Sequence, residues 1–548
     1  MKQVLSKYKI TISLTLIYLI TAYTLNAGLI NAFGNTLLII CLLNSLAKLK
    51  NINSICKVFA YILTFITSLI LTIDIFYFYH FKSRIPLGVF ASIWETNVAE
   101  ATSITNEYWL SFLIILTLTT TLNLLSIKEL SLSKLKGYIS FICIPTIYLV
   151  FLSAAYIRFK NTIDEIEHAR NLMKRDISEQ PILGLHYHYG GMFPLLVYDI
   201  LTGITYIAEM SRLSDFNTTT KTLYDGVIFT DTTNIPNKIY LVIGESSYRN
   251  HYSLYGYNRP TTPFLKSLAN QNDSSILYYK AIAPSSLTRD AIRLTLTFST
   301  PKNFDAFFNN KSIIDMAKDC GYETVWLSNQ EQSGLYDSYI SFIATSSDKN
   351  VFIKDLSNKY KIDDDLNLVE ELPNYYNPNK KQLIILHLMG SHYNYKDRYD
   401  NKDIMEVENN LSIDYDRSIH HTDRVLSNLY DFIQQHEEST LLYYYSDHGE
   451  IINLGHGQVD GIQQYEIPLL IINHNIAISP KSILDKYIDT QNGLINSLAT
   501  INIIAEIMGY KISDELTRET INNGRYVSHV YQDIRLFKEI KPMKNSIQ

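Results

Sequence analysis

Residues 441–450 read Leu-Leu-Tyr-Tyr-Tyr-Ser-Asp-His-Gly-Glu. A short apolar run, Leu441 to Ser446, stops abruptly at Asp447, His448, Gly449 and Glu450. Such a run suits a strand buried on both faces, as strands of a parallel sheet are. Lys238 to Gly244 (KIYLVIG) repeats the pattern and stops at Glu245. Thr324 to Leu327, Gln382 to His387 and Ile467 to Ile472 are further strand-like runs, whereas Ser312 to Asp319 and Ile413 to Gln435 carry helical spacing. Strands alternating with helices predict an α/β sandwich around a largely parallel sheet, in which ligands bind beyond the carboxyl ends of the strands.

An acid after a strand is often a turn residue or a helix cap. Here several ligating groups gather at such ends: Asp447 with His448, Glu245, and the imidazoles of His387, His392 and His456. Carboxylate oxygen with imidazole nitrogen suits zinc. Between these strands, Pro284 to Phe298 (PSSLTRDAIRLTLTF) starts helical spacing at about Thr288. A hydroxyl at a helix start receives free N–H groups and the positive dipole end, which favours a bound phosphate; it is equally the place of a simple N-cap.

Outward toward the N-terminus the texture changes. From Ile10 to Ala47 there is no Asp, Glu, Lys or Arg. As one helix that run would extend roughly twice the ~30 Å hydrocarbon thickness, so two spans with a turn near Asn26, Gly28 or Asn31 are expected. Val58 to Tyr79, Tyr108 to Ser126 and Tyr138 to Ile157 each match one more crossing, which gives five transmembrane helices. Lys2, Lys7 and Lys9, then Lys48, Lys50 and Lys57, then Lys128, Lys134 and Lys136 fall on one side, cytoplasmic by the positive-inside rule, so the chain after Ile157 is expected outside. Asp74 sits near the outer end of the third span, as an interfacial carboxylate or a lipid-headgroup contact. The expected division is a membrane domain over 1–157, juxtamembrane helices and a linker over 158–237, and the α/β domain over 238–548. His186 and His188, before two glycines, read as a solvated turn rather than a metal site.

The formal net charge of −6, without basic blocks, argues against a nucleic-acid partner. Of the four cysteines, Cys41, Cys56 and Cys143 lie in or beside the apolar runs, which leaves Cys320 alone in the soluble part and excludes a Cys-based zinc site there.

Gly244-Glu245-Ser246, Arg249, Ser253 to Tyr257 (SLYGY), Arg259 and Thr261-Thr262-Pro263 together resemble the signature of the bacterial phosphoethanolamine transferases, lipopolysaccharide-modifying enzymes of the sulfatase/alkaline-phosphatase-like superfamily. The likeness continues through Thr288, Leu386 to His392 (LHLMGSH), Ser446 to Glu450 (SDHGE) and His456-Gly457, and Glu95 to Ala101 resembles the family's first outer-loop motif. It implies an α-helical membrane domain with five transmembrane helices followed by an α/β alkaline-phosphatase-like (sulfatase-type) domain, placed in the bacterial inner membrane with the catalytic part in the periplasm. It further implies Thr288 as nucleophile, one tightly held zinc ion on Glu245, Thr288, Asp447 and His448, and His392 and His456 as phosphate or second-metal ligands, with His387 in the same region. Thr96 and Glu100 match lipid-donor contacts. The implied reaction moves phosphoethanolamine from phosphatidylethanolamine to a lipopolysaccharide (core sugar or lipid A) or another envelope glycan through a covalent phosphothreonine.

Ser92 stands where some lipid A-modifying relatives carry Asn, and the cysteines that flank the nucleophile in those relatives are missing here, which points toward a core-sugar acceptor. Two alternatives share the fold: a lipoteichoic-acid-type phosphoglycerol transferase, whose pattern lacks the LYGY.R.TTP extension, and an inactive sensor or scaffold. Sulfate-ester hydrolysis is disfavoured, because no Cys or Ser stands in a C/S-x-P-x-R context.

Overall fold

A computed structural model describes residues 7–24, 28–81, 98–147, 149–150, 153, 220–230, 233–271, 276–303, 305–330, 339–356, 364–404, 412–436, 439–457, 460–528 and 534–543. The chain divides into two compact units, Met1–Glu209 and Met210–Gln548.

In the first unit the long uncharged run is two helices, α1 (Lys9–Thr24) and α2 (Gly28–Leu49), followed by α3 (Ser54–Phe81), α4 (Val98–Ser131) and α5 (Gly137–Ile147). Three of the described segments, Ala32–Leu49, Ser54–His80 and Trp109–Ser131, are long and apolar enough to cross a bilayer, and α1 and α5 are shorter apolar helices. Helix α4 starts ten residues before the expected Tyr108, so Glu100 is helical; Ser92 and Thr96 lie outside the described residues, as do His186 and His188. Polar side chains join the helices: Thr11 Oγ1 lies 3.0 Å from Ser126 Oγ, and Thr72 Oγ1 2.7 Å from Thr119 Oγ1. Among apolar helices such bonds supply specificity that hydrophobicity cannot.

The second unit is built on an eight-stranded sheet: β1 (Lys238–Gly244), β2 (Ile276–Ile282), β3 (Glu323–Ser328), β4 (Lys349–Phe352), β5 (Gln382–His387), β6 (Thr440–Ser446), β7 (Glu466–His474) and β8 (Ile495–Asn496), in the order β4-β3-β5-β1-β6-β7-β2-β8. Strands β4 to β6 along that order are parallel, whereas β7 runs antiparallel to both β6 and β2. Alternate residues of β1 and β6 enter opposite cores. Ile239, Leu241, Ile243, Tyr443 and Tyr445 pack with helices α7 (Thr288–Leu296), α8 (Ile313–Asp319) and α10 (Thr500–Ile507); Tyr240, Val242, Leu442 and Tyr444 pack with α6 (Pro263–Asn270) and α9 (Ile413–Gln434). Both faces are therefore covered, which is why the strands read as unbroken apolar runs.

Helix α9 also organises the segment after β1. Buried Asp416 meets His251 Nδ1 at 2.7 Å, Tyr257 OH at 3.1 Å and Arg259, while Asp423 accepts from the Phe264 and Leu265 amides at 2.8 and 3.1 Å and so caps α6. The Tyr-Gly-Tyr, Arg and Thr-Thr-Pro signature is thus a structural brace. Arg249 adds a tie to β7 and β2, through Glu466 at 2.9 Å and the Ala281 carbonyl at 3.0 Å.

Another network hangs on the same helix. Asp400, Asp403 and His421 approach one another, but Arg424 fills the place between the two carboxylates, so the cluster reads as an ion-pair network. Burial alone would lower the His421 pKa, yet hydrogen bonds to Asp364 and Asp403 raise it from 6.5 to about 9. Because the folded value is raised, the contribution is complete below the unfolded value of 6.5 and is lost as pH rises through about 9. Thermal melting of the full chain in detergent should show stability falling by up to about 3 kcal/mol over that window. His421→Gln should flatten the profile; an unchanged profile would remove His421 as its cause.

Candidate active site

Register brings the ligating groups together. Gly244 pairs with Ser446, and Ile243 with both Tyr445 and His387, so β1, β5 and β6 end level and release Glu245 and Asp447 at the same edge of the sheet. Ser246 holds the turn after Glu245 with φ 55°, unusual for a residue with a side chain. Its amide donates to Asp447 Oδ1 at 3.2 Å, its hydroxyl to Glu245 Oε1 at 2.7 Å, and its carbonyl accepts from Tyr415 OH at 2.7 Å. Gly390, at φ 52°, passes so close to Glu245 that a Cβ there would lie 2.6 Å from the Glu245 carbonyl oxygen.

Thr288 opens α7, and its N-cap, Leu287, makes no side-chain cap. The Thr288 hydroxyl does not cap its own helix; it donates to Glu245 Oε2 at 3.0 Å and lies 3.1 Å from His448 Nε2. His448 Nε2 is in turn 3.3 Å from both Glu245 Oε1 and Asp447 Oδ2. The Gly449 carbonyl, 2.8 Å from His448 Nδ1, can only accept, so Nδ1 carries a proton and Nε2 faces the cluster. Glu245, Asp447 and His448 are all fully buried, and Asp447 Oδ2 has no hydrogen-bond partner.

Three oxygens and one imidazole nitrogen thus converge around a buried, unsatisfied carboxylate, a donor set that fits a tetrahedral divalent metal such as zinc. The electrostatics agree. Burial works against charge on Glu245, but His448, His392 and His456 together hold its carboxyl well below the usual range; burial and the Glu245 charge push Asp447 well above it. Burial opposes a proton on His448 too, yet Asp447 and Glu245 raise its pKa to about 10, so the site draws in one positive charge.

His456 and His392 flank this cluster. The His456 ring lies 4.0 Å from that of His448 and 5.7 Å from that of His392, and both flanking histidines group with Glu245 within metal-binding reach. Fully buried Glu450 holds His456 Nδ1 at 2.8 Å and accepts from Tyr395 OH at 2.7 Å. His387 is placed otherwise. It lies beneath the site, 1% exposed, with its ring against Trp326 and Nδ1 3.3 Å from Ser328 Oγ; burial lowers its pKa to about 4, and it joins none of the ligand groups among the described residues. Gln330 is an addition that the sequence reading missed: its amide donates to Glu245 Oε2 at 3.1 Å and to the Leu388 carbonyl at 3.0 Å. Its one signal is its place, two residues beyond β3.

Residues 237–510, half the chain, match the family profile described as Sulfatase. The chain is 29% identical over 279 residues to phosphoethanolamine transferase EptC of Escherichia coli K12, a match that covers 47% of this chain and 48% of that protein. It therefore spans about half the length of that relative. The solved C-terminal periplasmic domain of E. coli EptC, in complex with Zn, superposes with TM-score 0.50 and 23% identity over 60% of this chain and 99% of that domain. The integral membrane lipooligosaccharide phosphoethanolamine transferase EptA from Neisseria meningitidis superposes with TM-score 0.59 and 15% identity over 90% of each chain.

Proposed function

The chain belongs to the sulfatase family, and from that premise we propose that it is a zinc-dependent phosphoethanolamine transferase that takes phosphoethanolamine from phosphatidylethanolamine and passes it to lipopolysaccharide or another envelope glycan. The observation that carries this reading is the Thr288 hydroxyl at the start of α7, 3.0 Å from Glu245 and 3.1 Å from His448. Glu245, Thr288, Asp447 and His448 would hold the ion. Bound there, zinc supplies a Lewis acid that acidifies a hydroxyl and polarises a phosphoryl oxygen.

The protein's own groups do the rest. The Thr288 proton leaves along its hydrogen bond to Glu245 Oε2 as Thr288 Oγ1 attacks phosphorus, and the bond from phosphorus to the diacylglycerol oxygen breaks. The leaving diacylglycerol oxygen takes up that proton, and phosphoethanolamine stays on Thr288. The α7 N-terminus with His392 and His456 faces the transferring phosphoryl oxygens, where charge develops. In the second half the acceptor hydroxyl attacks the same phosphorus, and Thr288 Oγ1 is released and takes up the acceptor's proton, which restores the starting hydroxyl. Glu450 fixes His456 through Nδ1 and leaves Nε2 for the phosphoryl group.

The domain reading over 1–157, 158–237 and 238–548 goes with this function: five spans anchor the chain in the bacterial inner membrane, which holds the donor lipid, and the lysines on one side put the catalytic unit in the periplasm. Thr96 and Glu100 would contact the donor. The purified full chain, given phosphatidylethanolamine labelled in its ethanolamine, should release diacylglycerol and label lipopolysaccharide. Separation into lipid A and core would assign the acceptor, with core sugar expected. No label on any envelope glycan, with no diacylglycerol released, would sink the reading in favour of a scaffold.

A further inference from the structure

Glu245 meets both Thr288 and His448, so the placement of its carboxylate decides the geometry of the whole cluster. That carboxylate is held from two sides. Ser246 Oγ donates to Oε1 at 2.7 Å, and Gln330 Nε2 donates to Oε2 at 3.1 Å. Ser246 is the next residue along the chain, whereas Gln330 comes from 85 positions away.

Gln330 reaches Glu245 across the top of the sheet. It stands two residues past β3, and β3, β5 and β1 are successive strands. On the way its amide also donates to the Leu388 carbonyl, just past β5, at 3.0 Å, and the Leu388 amide donates to the Ile243 carbonyl of β1 at 2.9 Å. Both partners of Nε2 are acceptors, which fixes the orientation of the carboxamide with its nitrogen toward Glu245. The backbone here is anchored without help from that side chain. The Gln330 amide donates to Ser328 Oγ at 3.1 Å, the Asn329 amide to the His387 carbonyl at 2.9 Å, and Asn329 Nδ2 to the buried Asp365 carboxylate at 2.8 Å.

A carboxylate on a flexible stem serves a metal well only when its plane is fixed, and hydrogen bonds from residues outside the ligand set do this. Two hydroxyl or amide groups donate to Oε2, Thr288 Oγ1 and Gln330 Nε2. Thr288 has no proton left to give once it carries a phosphoryl group, so of the two only Gln330 can stay on Oε2 through a reaction with a covalent intermediate. We propose that Gln330 is a positioning residue for the transfer reaction, whose amide fixes the plane of the Glu245 carboxylate and, through it, the seat of the zinc ion and of the Thr288 nucleophile. The proposal rests on the zinc and transferase reading above and adds to it a residue outside the ligand set.

The test uses the full chain in detergent, with zinc affinity measured by competition against a chelator and transfer measured alongside. Gln330→Leu removes the donor and keeps an apolar stem. It should bind zinc about tenfold to a hundredfold more weakly than the wild type and lower kcat to a similar extent, with KM for phosphatidylethanolamine unchanged. Gln330→Asn, one methylene short, keeps an amide that cannot span both Glu245 and Leu388, and should fall between the two. Cobalt(II) loaded in place of zinc gives a spectroscopic readout, since its visible bands follow ligand geometry; the bands of Gln330→Leu should differ from those of the wild type at saturating metal. Zinc affinity and cobalt bands equal to the wild type would overturn the proposal even if the melting temperature fell, because a tie that only joins strand ends would give that result. A raised KM with kcat and zinc affinity unchanged would make Gln330 a substrate contact and overturn it equally. Transfer by the wild type, with zinc held as tightly by Gln330→Leu, removes this inference and leaves the function standing. Zinc binding that depends on Gln330, in a wild type that transfers nothing, does the reverse.

Discussion

Thr288→Ala should lower phosphoethanolamine transfer by on the order of 10⁴-fold or more, because it removes the only atom on which the covalent route can place the phosphoryl group. The wild-type chain incubated with phosphatidylethanolamine and no acceptor should gain one phosphoethanolamine on the peptide that contains Thr288, and diacylglycerol should appear in the same step. The variant should show neither product. It should still fold, since the Thr288 hydroxyl bonds to Glu245 and His448 and does not cap α7. Thr288→Ser separates chemistry from packing: it keeps the oxygen and should retain measurable transfer. A mass shift on Ser285 or Ser286 would move the nucleophile within the same loop, and direct in-line transfer with no adduct would remove the covalent intermediate.

The sequence discloses this much of the site for a physical reason. Strands β1 and β6 are buried on both faces, so their apolar runs are continuous and their ends sharp, which puts Glu245 and Asp447 at the sheet edge without any knowledge of the fold. The same continuity hides direction: the Ile467 to Ile472 run is as apolar as its neighbours, yet β7 runs antiparallel, and nothing in an unpatterned apolar run encodes polarity along the chain. Strand β2 has no such signal, because only the ends of Ile276 to Ile282 are buried, while Leu277 to Lys280 alternate part-buried with exposed residues and include a lysine. His387 shows the opposite failure. Its position at a strand end made it ligand-like, but its side chain turns into the layer of Trp326 and Ser328 beneath the site. Gln330 escaped because a neutral amide after a strand carries no chemical signature until its partner, Glu245, is seen beside it.

Asp447→Asn should reduce bound zinc from stoichiometric to near zero and transfer by on the order of 10³-fold, and it should do so without unfolding the chain. Asp447 is fully buried, its Oδ1 accepts from the Ser246 and His448 amides at 3.2 and 2.6 Å, and its Oδ2 is left without a hydrogen bond. An asparagine can keep the Oδ1 contacts through its carbonyl, so the turn that holds Ser246 at positive φ survives. What it loses is the second oxygen and the charge, which are what a cation requires. The same substitution replaces a buried carboxyl whose charged form burial and Glu245 already disfavour with a neutral amide, so in metal-free protein the melting temperature should stay level or rise, whereas the variant should lack the extra stability that zinc binding confers on the wild type. His387→Ala is the contrasting control, expected to cost stability through a core cavity while zinc content stays at the wild-type value. Full zinc content and full activity in Asp447→Asn would show that the ion is held elsewhere, and equal zinc loss in His387→Ala would bring that imidazole back among the ligands.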